Sequence, residues 1–180
     1  SAADATIAVE VTLQSSRRWT VGRPAFTRPG PPPSGKLLAL AGTDTRMTDS
    51  LSVLLTNDDG IDAVGIRALY DALSQWADVT VVAPADDQSA VGRQLSTDAA
   101  VHEHDFGYAI EGTPSDCVVA GLEALCPDVD AVVAGCNKGA NLGAYVLGRS
   151  GTVSAAVEAA FFGVPAIATS LYVPGGGEVP

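Results

Sequence analysis

The chain has 180 residues, 47% of them hydrophobic, and a formal net charge of −11, enough length and apolar content for one domain with a real core. The charge is uneven: residues 1–46 hold six basic and three acidic residues, net +3, whereas residues 47–180 hold four basic (Arg67, Arg93, Lys138, Arg149) and eighteen acidic, net −14. That balance excludes a basic face for a nucleic-acid duplex, and no apolar run approaches the roughly 20 residues of a membrane span.

In chain order, the first 46 residues are set apart by composition. Pro24, Pro29, Pro31, Pro32 and Pro33 crowd together with Gly22, Gly30 and Gly35, a segment with little to bury that reads as disordered. The only methionine, Met47, stands just before the first strong strand, where the charge changes sign. Residues 1–46 are therefore expected to be a disordered or non-native extension, with the domain in 47–180.

From residue 51 the pattern alternates. Residues 51–56 form an apolar strand, and Ile66, Leu69, Tyr70 and Leu73 give helical spacing over 65–76. Residues 79–83 are a second strand, closed by Pro84, and a polar loop spans 85–94. Residues 95–111 read as short strands or a hairpin. Thr113-Pro114-Ser115-Asp116 is a helix start, with a capping hydroxyl, proline at the first helical position and an early acid; that helix is expected to reach about residue 125. A strand at 131–134, a glycine-rich loop at 135–151, a small-residue helix at 152–162 and a buried strand at 165–170 complete the series. Strands alternating with helices predict an α/β fold, a Rossmann-like doubly wound and mostly parallel sheet. A chain ending just after a buried strand is expected to be incomplete at its C-terminus.

Polar clusters fall where successive strands end: Asn57-Asp58-Asp59, then Asp86-Asp87-Gln88-Ser89, then Asn137 within a glycine-rich run, then Ser150-Gly151-Thr152 before a helix. In a parallel sheet these ends share one edge and can converge. Two carboxylates, a hydroxyl and an amide oxygen form an oxygen-only donor set suited to Mg²⁺ or Mn²⁺. Ser-Gly-Thr at a helix start offers backbone N–H groups and the positive end of the dipole to an anion. His102 and His104 flank Glu103 and are read as one face of an exposed strand. Cys117, Cys126 and Cys136 lack metal-site spacing and read as reduced thiols of a cytoplasmic protein. The excess of acid points to a high-salt cytoplasm, where the charge is screened.

Five motifs in order carry a specific resemblance: Leu54-Leu55-Thr56-Asn57-Asp58-Asp59-Gly60; Val81-Val82-Ala83-Pro84 with Ser89 beyond; Gly112-Thr113-Pro114-Ser115-Asp116-Cys117; Gly135-Cys136-Asn137-Lys138-Gly139-Ala140-Asn141-Leu142-Gly143; and Ser150-Gly151-Thr152-Val153. Over about 51–171 the chain resembles the SurE (survival protein E) family of metal-dependent nucleoside monophosphate phosphatases. The resemblance implies one divalent metal ion per subunit, Mg²⁺ or Mn²⁺, ligated by Asp58, Asp59, Ser89 and Asn137. It implies catalytic roles for Asp58 and Asp59. It places the substrate phosphate against Ser150, Gly151 and Thr152, with Asn57 and Asn141 nearby. It also implies a homodimer or tetramer built through a further C-terminal segment. Two departures border the phosphate site: a Gly148-Arg149-Ser150 stretch one residue longer than the common pattern, and Tyr145 where an acid is often found.

Hydrolysis of nucleoside 5′- or 3′-monophosphates is thus the expected activity. An aspartyl nucleophile at Asp58 is the mechanistic alternative, but dehalogenase-type phosphatases space their two acids by one residue. A non-catalytic receiver or nucleotide-binding module would need an aspartate at the third strand's end, where Asn137 stands. An inactive fragment of the phosphatase is a further alternative. No Gly-x-Gly-x-x-Gly follows the first strand, against a dinucleotide-binding oxidoreductase.

Overall fold

The apolar run that opens at Leu51 becomes the middle of a sheet because both of its faces find helices to bury them. The computed structural model describes residues 6–11 and 50–172. Its strands are β1 (Thr6–Val11), β2 (Leu51–Thr56), β3 (Ala77–Pro84), β4 (Val101–His104), β5 (Gly107–Ile110), β6 (Ala131–Lys138) and β7 (Ala166–Leu171). Its helices are α1 (Val64–Leu73), α2 (Pro114–Ala120), α3 (Ala144–Leu147) and α4 (Gly151–Phe161). The strand order is β1-β7-β6-β2-β3-β5-β4. The five inner strands are parallel, and β1 and β4 close the edges antiparallel.

Period-two alternation explains how β2 serves two cores. Val53 and Leu55 point to one face and pack with Ile66 of α1, Val81 and Val133. Leu54 points to the other, against Val82, Val118, Val132 and the alanines of α4. Burying each such side chain contributes about 1.5–3 kcal/mol. Ala155, Ala156 and Ala159 are all fully buried, so α4 lies close on the sheet. Helices on both faces make the winding double, as predicted.

The chain leaves β2 for β3 and β5 on one side, then returns to β6 and β7 on the other. The topological switch therefore lies between β2 and β6, and a crevice opens at their C-terminal ends. Asp58 and Asp59 follow β2 there, and Asn137 and Lys138 end β6 beside them.

Several boundaries differ from expectation. Within 95–111 the expected hairpin forms as β4–β5, with β5 also parallel to β3. Helix α2 ends at Ala120, and Gly121–Leu125 continues as a π-helical turn. Strand β6 runs on through Gly135 to Lys138, where composition predicts a loop, because Asn137 and Lys138 pair with Ser170 and Leu171 of β7 beyond an irregularity at Ala134/Asn137. Pairing with a neighbour overrides the low strand preference of glycine and asparagine. Strand β1 pairs with β7 and comes from the segment expected to be an extension. The rest of that segment, with its proline cluster, lies outside the described residues.

Candidate active site

At the end of β2 the chain turns sharply. The Asn57 Nδ2 donates to the Gly60 carbonyl at 2.7 Å, and Gly60 adopts φ 97°, a conformation that favours glycine. This turn presents Asp58 and Asp59 to different supports. Asp58 is only 4% exposed. Its Oδ1 accepts from the Thr152 hydroxyl at 2.6 Å, and its carbonyl accepts from the Gln88 N–H at 2.7 Å. Asp59 is half-buried, and its Oδ2 accepts from the Lys138 backbone N–H at 3.1 Å.

Helix α4 meets Asp58 end-on. Ser150 caps it, its Oγ accepting from the Val153 N–H at 3.1 Å. A Cβ on Gly151 would lie 2.8 Å from the Asp58 Cβ and 3.0 Å from the Pro114 Cγ, so only glycine admits the carboxylate this close. Pro114 belongs to the predicted helix start, which forms a full capping box: Thr113 accepts from the Asp116 N–H, and Asp116 accepts from the Thr113 N–H.

Both carboxyl groups are held above the ordinary carboxylate value of 3.8. Burial is the main cause for each. The Thr152 hydroxyl opposes it at Asp58, and the charge of Asp59 adds to it. At Asp59 the Lys138 N–H opposes it and the charge of Asp87 adds to it. Two poorly solvated acids side by side form a well of negative potential that a cation would relieve.

The remaining sequence-predicted residues fall around this pair. Asn137 is buried at the end of β6, its Nδ2 donating to the Gly139 carbonyl at 2.8 Å. Ser89 is exposed and donates to Asp87 Oδ1 at 2.6 Å; its neighbour Gln88 is the residue bonded to Asp58. Asn141 is tied to β7, its Nδ2 donating to the Ser170 Oγ at 2.8 Å. The Thr152 side chain, expected at the phosphate, is spent on Asp58, which its backbone N–H also serves, and this leaves the Gly151 N–H at the helix start. The Arg149 guanidinium lies over the Tyr145 ring, 4.7 Å from its centroid.

The donor set fits a hard divalent cation. It offers two carboxylates and neutral oxygens, with no sulfur or nitrogen among them. Asn57 Oδ1 is moreover buried without a hydrogen-bond partner among the described residues. No group of three or more His, Cys, Asp or Glu side chains that could hold a metal occurs among the described residues. The histidines point elsewhere: His102 pairs with Glu111 at 2.9 Å and His104 faces Asp62 at 3.8 Å. The cysteines are free thiols whose ionisation burial suppresses, Cys126 being pushed up to about 11.

Sequence reasoning missed three contributors. Thr152 as the support of Asp58 and the Lys138 N–H on Asp59 depend on contacts 94 and 79 positions apart, which no spacing along the chain reports, while Asp87 beside Ser89 is a local contact two residues apart that the polar cluster held without its role.

A family model described as survival protein SurE matches residues 53–177. The chain belongs to the SurE family. The 5′-nucleotidase SurE of Haloquadratum walsbyi is 77% identical over 134 residues, 74% of this chain and 51% of that protein. That of Natronomonas pharaonis is 78% identical over 126 residues, 70% of this chain and 49% of that protein. Both relatives are haloarchaeal, in keeping with the acid excess read from composition. The crystal structure of the SurE protein from Aquifex aeolicus superposes with a TM-score of 0.61 at 40% identity, covering 64% of this chain and 48% of that one. The chain spans about half the length of the curated relatives it matches. Among its described residues, no helix is long and apolar enough to cross a membrane.

Proposed function

We propose that this chain carries the phosphatase centre of a 5′-nucleotidase and hydrolyses nucleoside 5′- or 3′-monophosphates to nucleoside and phosphate. The observation that carries the reading is the buried Asp58 carboxylate locked to the start of α4 beside a second carboxylate, Asp59. An anion site and a cation site then share one wall.

In this reading Asp58, Asp59, Ser89 and Asn137 hold one Mg²⁺ or Mn²⁺. The ion, when bound, supplies positive charge at the phosphoryl group and acidity to a water. The chain does the rest. The Gly151 N–H and the Ser150 hydroxyl orient the phosphate and stabilise charge on its equatorial oxygens, with Thr152 beside them holding Asp58. Asn141 stands nearby as a lesser contact, and Asn57 shapes the turn that presents the acids. Lys138, the residue whose N–H holds Asp59, brings an ammonium to an otherwise acidic rim. Asp58 is nearly inaccessible, with one oxygen taken by Thr152, a placement suited to a ligand and not to an in-line nucleophile. Residues 47–180 are taken as the N-terminal part of the nucleotidase domain, joined at the sheet edge by β1 from the segment 1–46, and the full-length protein as a cytoplasmic homodimer or tetramer.

The test is phosphate release from a panel of nucleoside monophosphates with Mg²⁺, Mn²⁺ or excess chelator. Activity that vanishes with chelator and returns with either ion is expected. Full activity in excess chelator would remove the metal from the reading.

A further inference from the structure

The loop after β3 lies against the turn that presents the two acids. Gly60 marks the contact: a Cβ there would lie 3.3 Å from the Asp86 carbonyl carbon and 3.5 Å from the Asp87 nitrogen. Gln88 fastens the loop with its N–H bond to the Asp58 carbonyl. Its two neighbours, Asp87 and Ser89, are thereby brought to the rim of the carboxylate pair, where both are exposed.

Asp87 holds Ser89 by both of its donors. The Asp87 Oδ1 accepts from the Ser89 N–H at 2.8 Å and from the Ser89 hydroxyl at 2.6 Å. The second distance is that of a charge-assisted bond, about 2.5–2.7 Å for a hydroxyl on a carboxylate. A hydroxyl has one proton and two lone pairs. With its proton committed to Asp87, the Ser89 oxygen faces the site as an acceptor only, which is the state a cation needs. A carboxylate pulling on that proton also leaves more negative charge on the oxygen. The turn by itself does not call for a carboxylate, because an asparagine Oδ1 would accept the same two bonds. Burial is the first cause that raises the Asp59 carboxyl, and the charge of Asp87 adds to it. A third negative charge at this edge is a cost to the metal-free protein that cation binding would return.

We infer that Asp87 is a positioning residue for the divalent cation, acting through Ser89, whose hydroxyl it orients as an acceptor-only ligand. The inference rests on the phosphatase reading for the presence of the ion and for Ser89 as one of its ligands.

The test is calorimetric titration of Mn²⁺ into the whole 180-residue chain, in enough KCl to keep it folded, with Asp58→Asn setting the background uptake of an acidic surface. Asp87→Ala is expected to weaken Mn²⁺ by about tenfold or more, as when the partner of a metal ligand is removed. Asp87→Asn keeps the acceptor without the charge and recovers part of the loss. In a Ser89→Ala chain, where no hydroxyl is left to hold, Asp87→Ala costs about twofold or less, the margin within which independent effects add. An equal loss from Asp87→Ala with and without the Ser89 hydroxyl means that the charge acts directly, and overturns the inference. So does Asp87→Asn binding no better than Asp87→Ala, or Asp87→Ala binding as well as the parent. Phosphate release decides the underlying reading separately. A loss coupled through Ser89, with no release from any monophosphate, keeps the role of Asp87 and overturns the phosphatase. A parent chain that takes up no more Mn²⁺ than Asp58→Asn overturns both.

Discussion

Gly151→Ala sets two known effects against each other. In an exposed helix interior, alanine is favoured over glycine by up to about 1 kcal/mol, and less in the first turn. Here the new methyl would sit 2.8 Å from the Asp58 Cβ and 3.0 Å from the Pro114 Cγ, both buried. Carbon atoms settle at about 3.5–4.0 Å, so something must move by about an ångström, and overpacking of this kind costs about 1–3 kcal/mol. The clash wins, with a net loss of about 1–2 kcal/mol and a fall in Tm of about 2–8 °C. What moves is Asp58 or the helix start that holds it, so the rise in Tm produced by Mn²⁺ should shrink as well. Gly148→Ala is the control: its Cβ would meet nothing closer than 3.6 Å and its φ is −70°, so it should melt within a few tenths of a kcal/mol of the parent. Differential scanning fluorimetry with and without Mn²⁺ reads all of this. A Gly151→Ala variant melting at or above the parent, with its Mn²⁺ response intact, refutes the close approach.

Asp58→Asn and Asp59→Asn should each raise the Tm of the metal-free protein at neutral pH and abolish phosphate release. A carboxyl raised in the folded state stabilises below its unfolded value, near 3.8, and loses that contribution as pH rises through the folded value, so the gain from the amide should be absent in acid and appear above it. A variant less stable than the parent at pH 7 without metal contradicts this. Thr152→Val removes a fully buried donor from a charged acceptor and should cost about 1.5–3 kcal/mol, with Thr152→Ser keeping most of it; equal melting of the two variants would remove the bond to Asp58 from the account. Melting temperature should climb from low to molar KCl, because residues 47–180 carry net −14 and salt screens their repulsion; a flat or falling curve would reject the halophilic reading.

Strand β2 is legible in the sequence because burial on both faces writes itself as a nearly continuous apolar run, whereas the strand read as buried at 165–170 alternates, with Ala166, Ala168 and Ser170 buried and Ile167 exposed. The start of α2 is legible because a capping box is local chemistry, complete within four residues. Asn137 reads along the chain as a loop residue and belongs to a strand, because its strand character comes from β7, more than thirty positions away, and from nothing at Asn137 itself. The residues of the candidate site are legible as types at strand ends. Their division of labour is not: Thr152 reads along the chain as a phosphate ligand, and only the folded contact turns its hydroxyl to Asp58. The strand at Thr6–Val11 lies in a stretch whose neighbours read as unstructured, and its partner is the last described strand of the chain.

The bond between Thr152 and Asp58 joins residues 94 positions apart. A ribosome therefore makes the two acids long before it makes the helix that holds them. Until α4 emerges and docks, the turn after β2 is a pair of carboxylates without its hydroxyl support, however early β2 and β3 find each other. Closing a loop of that size is slow relative to local pairing. The candidate site thus comes into being only once α4 has been made and docked, and a nascent chain released before Thr152 would carry the Asn57-Asp58-Asp59-Gly60 signature in full with no site to show for it.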